Sequence, residues 1–164
     1  MGRIIRAPET WERTYAPGVF LAGGISNCVD WQEAVAHKIS QATDLDVINP
    51  RRYDWNMDSQ SEESIAQIEW EYKQIHDCDY MLFWFCEETL CPITLYELGM
   101  AVSRRELRRS PDHVPLVVGV HPNYQRKLDV YTQVGLHRPE VTLYEDLDFM
   151  VDEFVAQYLE ASKR

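Results

Sequence analysis

Asp79-Tyr80-Met81-Leu82-Phe83-Trp84-Phe85 is almost uninterrupted apolar sequence, and Pro92-Ile93-Thr94-Leu95-Tyr96-Glu97-Leu98-Gly99-Met100-Ala101 follows shortly after it. A run of this kind describes a central strand covered on both faces. The second stretch predicts a helix from about Thr94 to Glu106, with Arg104-Arg105 and Arg108-Arg109 complementing its C-terminal dipole. Upstream, Ser61 with Ser64 opens a helix through Ile65, Ile68, Tyr72 and Ile75. Before that helix, Asp46-Val47-Ile48 reads as a strand stopped by Asn49-Pro50, and Gly18-Val19-Phe20-Leu21-Ala22 as a buried strand ending in Gly23-Gly24. Asp30 or Asn27 can cap an intervening helix from Trp31 to about Gln41, with Ala34, Val35 and Ile39 on one face. Downstream, Pro115-Leu116-Val117-Val118-Gly119-Val120 is a further β-branched strand. Tyr124 to Val134 predicts a short helix, Val141-Thr142-Leu143 an edge strand, and Leu147 to Leu159 a closing amphipathic helix. Alternating strands and helices specify a doubly wound α/β sandwich with a mainly parallel, five-stranded sheet and helices on both faces. No repeat, low-complexity tract or linker interrupts it, so residues 1–164 read as one domain, with 1–17, carrying Pro8 and Pro17, as an irregular N-terminal extension.

Composition narrows the function classes. Hydrophobic content of 45% and charged content of 26% in 164 residues describe a globular protein with a normal core. A net charge of −11 argues against a nucleic-acid surface, which needs a basic stripe to neutralise phosphates. Free nucleosides and other small molecules stay compatible with that charge. The four cysteines, Cys28, Cys78, Cys86 and Cys91, lack C-x-x-C spacing and a zinc-ligand arrangement, and read as reduced thiols. The N-terminus has no apolar run of signal-peptide length, and Arg6 stands where a myristoylation signal wants Ser or Thr. No stretch approaches membrane-spanning length. The expectation is a cytoplasmic protein with neither membrane nor nucleic-acid partners.

In sheets of this class, ligands bind beyond the carboxyl ends of the strands. Gly23-Gly24-Ile25-Ser26, Asn49 to Trp55, Cys86 to Thr94 and His121 to Tyr124 occupy those positions. Glu97, near the start of its helix, has Leu95, Leu98 and Met100 around it, and an acid in an apolar wall costs free energy unless it is paired or used. Glu69 and Glu71 flank Trp70 on the preceding helix, and a helix ending before Asp79 can bring Glu71 towards the cleft. Two carboxylates facing one cleft are the equipment for cleaving a glycosidic bond through an oxocarbenium-like transition state. Arg51, Arg52 and Asp54, beside Tyr53 and Trp55, can either read the edge of a base or form a surface ion-pair loop. Gly23-Gly24 can bring backbone amides near a sugar or phosphate, although the fingerprint G-x-G-x-x-G is absent.

Four linked motifs carry a resemblance. Phe20-Leu21-Ala22-Gly23-Gly24-Ile25 with Trp31-Gln32, Asn49-Pro50-Arg51-Arg52, Gln67-Ile68-Glu69-Trp70-Glu71 and Pro92 to Gly99 resemble, in this order and over roughly residues 18–130, the nucleoside 2-deoxyribosyltransferase-like family. The resemblance implies a flavodoxin-like fold, a homo-oligomer with sites completed by a neighbouring subunit, no metal or organic cofactor, and double-displacement exchange of the base of a 2′-deoxynucleoside. It makes the Glu of Glu97-Leu98-Gly99 the nucleophile. It also makes the acid 26 residues earlier the group that handles the base, which selects Glu71 over Glu69. Three departures stand out. Phe20 replaces a Tyr whose hydroxyl orients the nucleophile, Cys91 replaces an acid, and Asp129 falls where a neighbouring subunit contacts the sugar 5′ oxygen. An Asp there accepts a hydrogen bond from a free 5′-hydroxyl and repels a 5′-phosphate.

The reading is therefore a nucleoside 2-deoxyribosyltransferase acting on nucleosides and free nucleobases. Glu97 and Glu71 are its catalytic pair, and Phe20, Gly23, Gly24, Asn49, Arg51, Arg52, Asp54, Trp70 and Asp129 bind substrate. The rivals are a nucleoside or nucleotide N-glycoside hydrolase using the same residues, with water as acceptor, and a non-catalytic nucleotide-sensing module.

Overall fold

The computed structural model describes residues 1–53, 62–103 and 116–163. Its elements, in chain order, are β1 (Ile4–Arg6), β2 (Gly18–Gly23), α1 (Trp31–Ala42), β3 (Asp46–Asn49), α2 (Glu62–Asp77), β4 (Tyr80–Phe85), α3 (Pro92–Ser103), β5 (Leu116–Val120), α4 (Lys127–His137), β6 (Leu143–Tyr144) and α5 (Leu147–Ala161). Parallel strands alternating with five helices give the α/β architecture of a flavodoxin-like fold. Among the described residues the strands number six rather than five, because β1 arises inside the stretch that reads as an irregular extension. The helix expected from Tyr124 begins at Lys127, preceded by a turn in which the Tyr124 amide donates to the His121 carbonyl. The expected α3 terminus at Glu106 and its arginines lie outside the described residues, as does Ser61 before α2.

The chain divides into two compact units, Met1–Leu21 with Trp31–Asp79 and Ala22–Asp30 with Tyr80–Arg164. In the first unit the strands run parallel in the order β1-β3-β2, with Ile4 opposite Val47, Arg6 opposite Asn49 and Phe20 opposite Ile48. The N-terminal segment is tied in by Asp46, a carboxylate almost without exposure. Its Oδ1 accepts from the Arg3 amide at 3.0 Å, and its Oδ2 accepts from Arg3 Nη2 at 2.6 Å and from Trp11 Nε1 at 2.9 Å. Burial pushes this carboxyl up, but the Arg3 and Trp11 bonds outweigh it and hold Asp46 below its ordinary range. Three residues of strand would not hold alone; β1 persists because its ladder to β3 and the Asp46 clamp act together.

α1 buries Trp31, Val35, Ala36 and Ile39 as its period demands, while Ala34 faces out. α2 departs from its apolar pattern. Ile65, Ile68 and Tyr72 are exposed, and the buried face carries Ser64, Gln67, Trp70, Gln74 and Ile75. The reason is hydrogen bonding from distant sequence. Trp70 Nε1 donates to the Glu9 carbonyl at 2.9 Å, Gln74 Oε1 accepts from the Trp11 amide at 3.0 Å, and Gln67 Nε2 donates to the Pro50 carbonyl at 3.1 Å. Turning that face outward would leave buried backbone groups of the N-terminal segment unpaired, which costs more than exposing three apolar side chains one at a time.

The second unit is built on β4-β5-β6, again parallel, with Met81 opposite Leu116, Phe85 opposite Val120 and Val118 opposite Leu143. β4 is buried along all but its first residue, as its continuous apolar run demands. α5 begins at an Asp146 cap whose side chain accepts from the Phe149 amide, and it buries Met150, Val151, Phe154 and Tyr158.

Candidate active site

The first unit gathers a polar group where β3 ends. Asn49, fully buried, accepts from the Arg51 amide at 2.9 Å through Oδ1, forming the tight turn that Pro50 continues. Arg51 Nε and Nη2 both donate to Gln32 Oε1, at 3.2 and 3.1 Å. The Pro50 carbonyl receives Gln67 Nε2, and the same nitrogen donates to Glu71 Oε1 at 2.9 Å. With both partners acceptors, the Gln67 amide is oriented, and its Oε1 is left buried without a partner. Burial pushes the Glu71 carboxyl above its ordinary range, and the Gln67 bond offsets this only in part. Glu69, by contrast, is exposed. Phe20 and Trp70 lie with ring centroids 6.4 Å apart, both buried, so Trp70 has one side committed to packing. Arg52 is half-buried, and Asp54 lies outside the described residues.

The second unit carries Gly23, Gly24, Glu97 and Asp129. Glu97 is only 7% exposed and is the sixth residue of α3, in its second turn. The first turn has no acid, and Glu97 lies beyond the reach of most of the helix-start dipole. Its placement comes from the loop before α3, where Cys91 adopts φ 50° directly ahead of Pro92. A side-chain-bearing residue in that region stores about 1–3 kcal/mol of strain, and such residues cluster at ligand sites.

The same loop holds a sulfur cluster that sequence spacing conceals. Cys86 Sγ, just past β4, lies 3.9 Å from Cys91 Sγ, and Cys28 hydrogen-bonds Cys86. Gly24 is packed against both sulfurs: a Cβ there would stand 2.7 Å from Cys86 Sγ and 3.1 Å from Cys91 Sγ. The Cys86 thiol, and after it the backbone amides of Cys86 and Gly24, hold Cys91 below the ordinary thiol range despite burial, while bonding to Cys91 and burial push Cys86 up. The four intervening positions carry no motif, and the pair meets where Cys91 takes a left-handed backbone conformation.

Asp129, in the first turn of α4, forms an ion pair with Arg126 at 3.0 Å. It also lines a cavity of about 220 Å³ with Leu98, Gly99, Val134 and His137. Within each unit, then, the structure joins Asn49, Arg51, Gln32, Gln67 and Glu71 in one network, and Gly24 with the cysteines ahead of the helix that bears Glu97. Gln32 and the partnerless oxygen of Gln67 were not legible as site features; the signal for Gln67 was its placement one turn before Glu71. Among the described residues no group of three or more His, Cys, Asp or Glu side chains could hold a metal, and no helix is long and apolar enough to cross a membrane.

A family model described as nucleoside 2-deoxyribosyltransferase like matches residues 16–108, more than half of the chain and a span that includes Phe20, Gly24, Arg51, Glu71 and Glu97. No curated protein matches the chain.

Proposed function

Because the chain belongs to the nucleoside 2-deoxyribosyltransferase-like family, we propose that it exchanges the base of 2′-deoxynucleosides through a covalent deoxyribosyl–Glu97 intermediate. In this reading a Glu97 carboxylate oxygen attacks C1′ from the face opposite the base, and the C1′–N bond breaks as the C1′–O bond forms. Glu71 supplies the proton that the departing base nitrogen needs. A second base then attacks C1′ and releases Glu97, returning its proton to Glu71. Dividing one substitution into two gives each step an easier barrier.

The observation that carries this reading is the state of the two acids. Glu97 is a buried acid inside the matched family span, where an acid is expensive to keep unless it is paired or used. Burial lets Glu71 keep its proton to higher pH than an ordinary glutamate, the direction a general acid requires. Arg51, Arg52, Asp54 and Trp70 would shape the base pocket, Gly23 and Gly24 the sugar side. Asp129 of a neighbouring copy would receive the 5′-hydroxyl, with Arg126 setting how much of its charge a substrate meets.

Incubating the protein with a deoxynucleoside, with and without a different free base, and separating products by chromatography tests the proposal. A new deoxynucleoside formed only with the added base is expected. Release of free base at a rate indifferent to the acceptor would instead assign a hydrolase, and tight binding with no turnover a sensing module.

A further inference from the structure

The sulfur cluster beside Gly24 is not used by the exchange chemistry, and its geometry points to a second property. We propose that Cys86 and Cys91 form a redox-active dithiol, which a two-electron oxidant of the peroxide class converts to a reversible disulfide at the foot of α3. The two sulfurs already stand 3.9 Å apart, so closing to a disulfide bond of about 2.05 Å needs an approach of only about 2 Å between them. None of the four cysteines is disulfide-bonded in the structure.

The arrangement divides the labour between the two sulfurs. Cys91 occupies the position before α3, where contact with Cys86 and the amides of Cys86 and Gly24 favours its charged form over that of Cys86, and in its deprotonated form it is the attacking sulfur of the pair. Its sulfur attacks one peroxide oxygen, the O–O bond breaks, and the leaving hydroxide takes up a proton as water, leaving Cys91 as the sulfenic acid. With the thiolate charge gone, Cys86 loses the Cys91 bond and charge that helped to hold its proton. The Cys86 sulfur then attacks the Cys91 sulfur, the S–O bond breaks, and hydroxide departs with the Cys86 proton as a second water. The sulfur pair has lost two electrons and the peroxide has gained them. A dithiol reductant reverses the change. Both sulfurs are buried, and the partly exposed Cys28 lies alongside Cys86.

The disulfide also weakens the sulfur acceptor that the Gly24 amide meets and draws the start of α3 towards β4. Under the transferase reading, on which this consequence alone rests, Glu97 six residues further on loses its setting, and base exchange falls by about a hundredfold, the scale of a misplacement of about 1 Å.

The full-length protein is treated with hydrogen peroxide, remaining thiols are alkylated, and peptides are mapped by mass spectrometry before and after dithiothreitol. A Cys86–Cys91 linkage that dithiothreitol reverses is expected, with Cys78 still alkylated and with Cys28→Ser behaving like the parent. In Cys86→Ser, dimedone should trap a sulfenic acid on Cys91. Intact thiols, or a linkage through Cys28, would overturn the site. Deuterium exchange over 22–30 should quicken on oxidation, and unchanged exchange there would refute the weakening of the Gly24 contact. A disulfide formed with no change in base exchange would overturn the regulatory consequence and leave the site standing. A reduced protein without base exchange would refute the transferase reading, with the thiol map still deciding the dithiol.

Discussion

Glu97 and Glu71 illustrate how environment sets the chemistry of one residue type. Glu97 is sequestered in the second turn of α3, whereas Glu71 is partly buried and anchored by Gln67. Glu97→Gln keeps shape and polarity but removes the attacking charge, so exchange should fall by about 10³-fold or more while circular dichroism stays unchanged. Mass spectrometry of the parent protein with substrate should then place a deoxyribosyl adduct on the peptide containing Glu97. Turnover close to the parent rate in Glu97→Gln would sink the nucleophile assignment. Glu71→Ala should lose about 10²–10⁴ in rate, the usual worth of a positioned acid. Glu69→Ala, which alters an exposed position, should stay near the parent, and the reverse ranking would transfer the role to Glu69.

Gln67 gives the acid a pH signature. Its amide stabilises the charged form of Glu71, against the burial that disfavours it. Gln67→Leu should therefore raise the Glu71 pKa further. Because the proton-bearing form is the working acid in the proposed mechanism, activity should be lost as pH rises through that pKa. The alkaline limb of the rate profile should accordingly move to higher pH in Gln67→Leu. A limb that stays in place while the rate drops would mean that Gln67 serves packing only.

At the scale of elements, α2 and the N-terminal segment depend on each other. The inward face of α2 is chosen by Glu9, Trp11 and Pro50, and the segment that carries two of these is held by Asp46. Asp46→Ala removes the acceptor for the Arg3 amide, the Arg3 guanidinium and the Trp11 indole, and should cost about 2–3 kcal/mol on the scale of hydrogen bonds to a charged group. The folded-state carboxyl lies below its unfolded value, so this stability is present above the ordinary Asp pKa and lost as pH falls through the depressed one. Denaturant titrations of the parent and Asp46→Ala should differ at neutral pH and converge in acid. A gap of equal size at all pH values would show that packing, and not charge, ties the segment in.

For the molecule as a whole, the outward stripe of α2 bears on assembly. Ile65, Ile68 and Tyr72 are each more than half exposed, and they line one side of the helix at positions i, i+3 and i+7. The proposed site borrows Asp129 from a second copy, which a monomer cannot supply. Sedimentation should therefore find a homo-oligomer, with specific activity falling as dilution dissociates it. A monomer fully active at high dilution would contradict the shared site. The charge of −11 sets a further bound, since a surface so acidic offers phosphate backbones little counter-charge.

Much of this was determined by the sequence by itself. A strand buried on both faces must be apolar at every position, so Met81 to Phe85 and Leu116 to Val120 declare a covered, parallel sheet in their own residues. The ordered motifs around Phe20, Arg51, Glu71 and Glu97 likewise carry the family, which the matching family model bears out. Local pattern failed where partners come from far along the chain. β1 is three residues long, too short to signal itself, and exists through its pairing with β3. The apolar period of α2 named the wrong face because carbonyls and amides near residues 9–11 and 50 decide which face is buried. The elevated carboxyl of Glu71 follows from burial and one amide contact, and the closeness of Cys86 to Cys91 from a single left-handed residue before Pro92. Periodicity encodes which residues prefer to leave water; which donor meets which acceptor, and which acid loses its solvent, is settled only when the folded chain brings distant groups together.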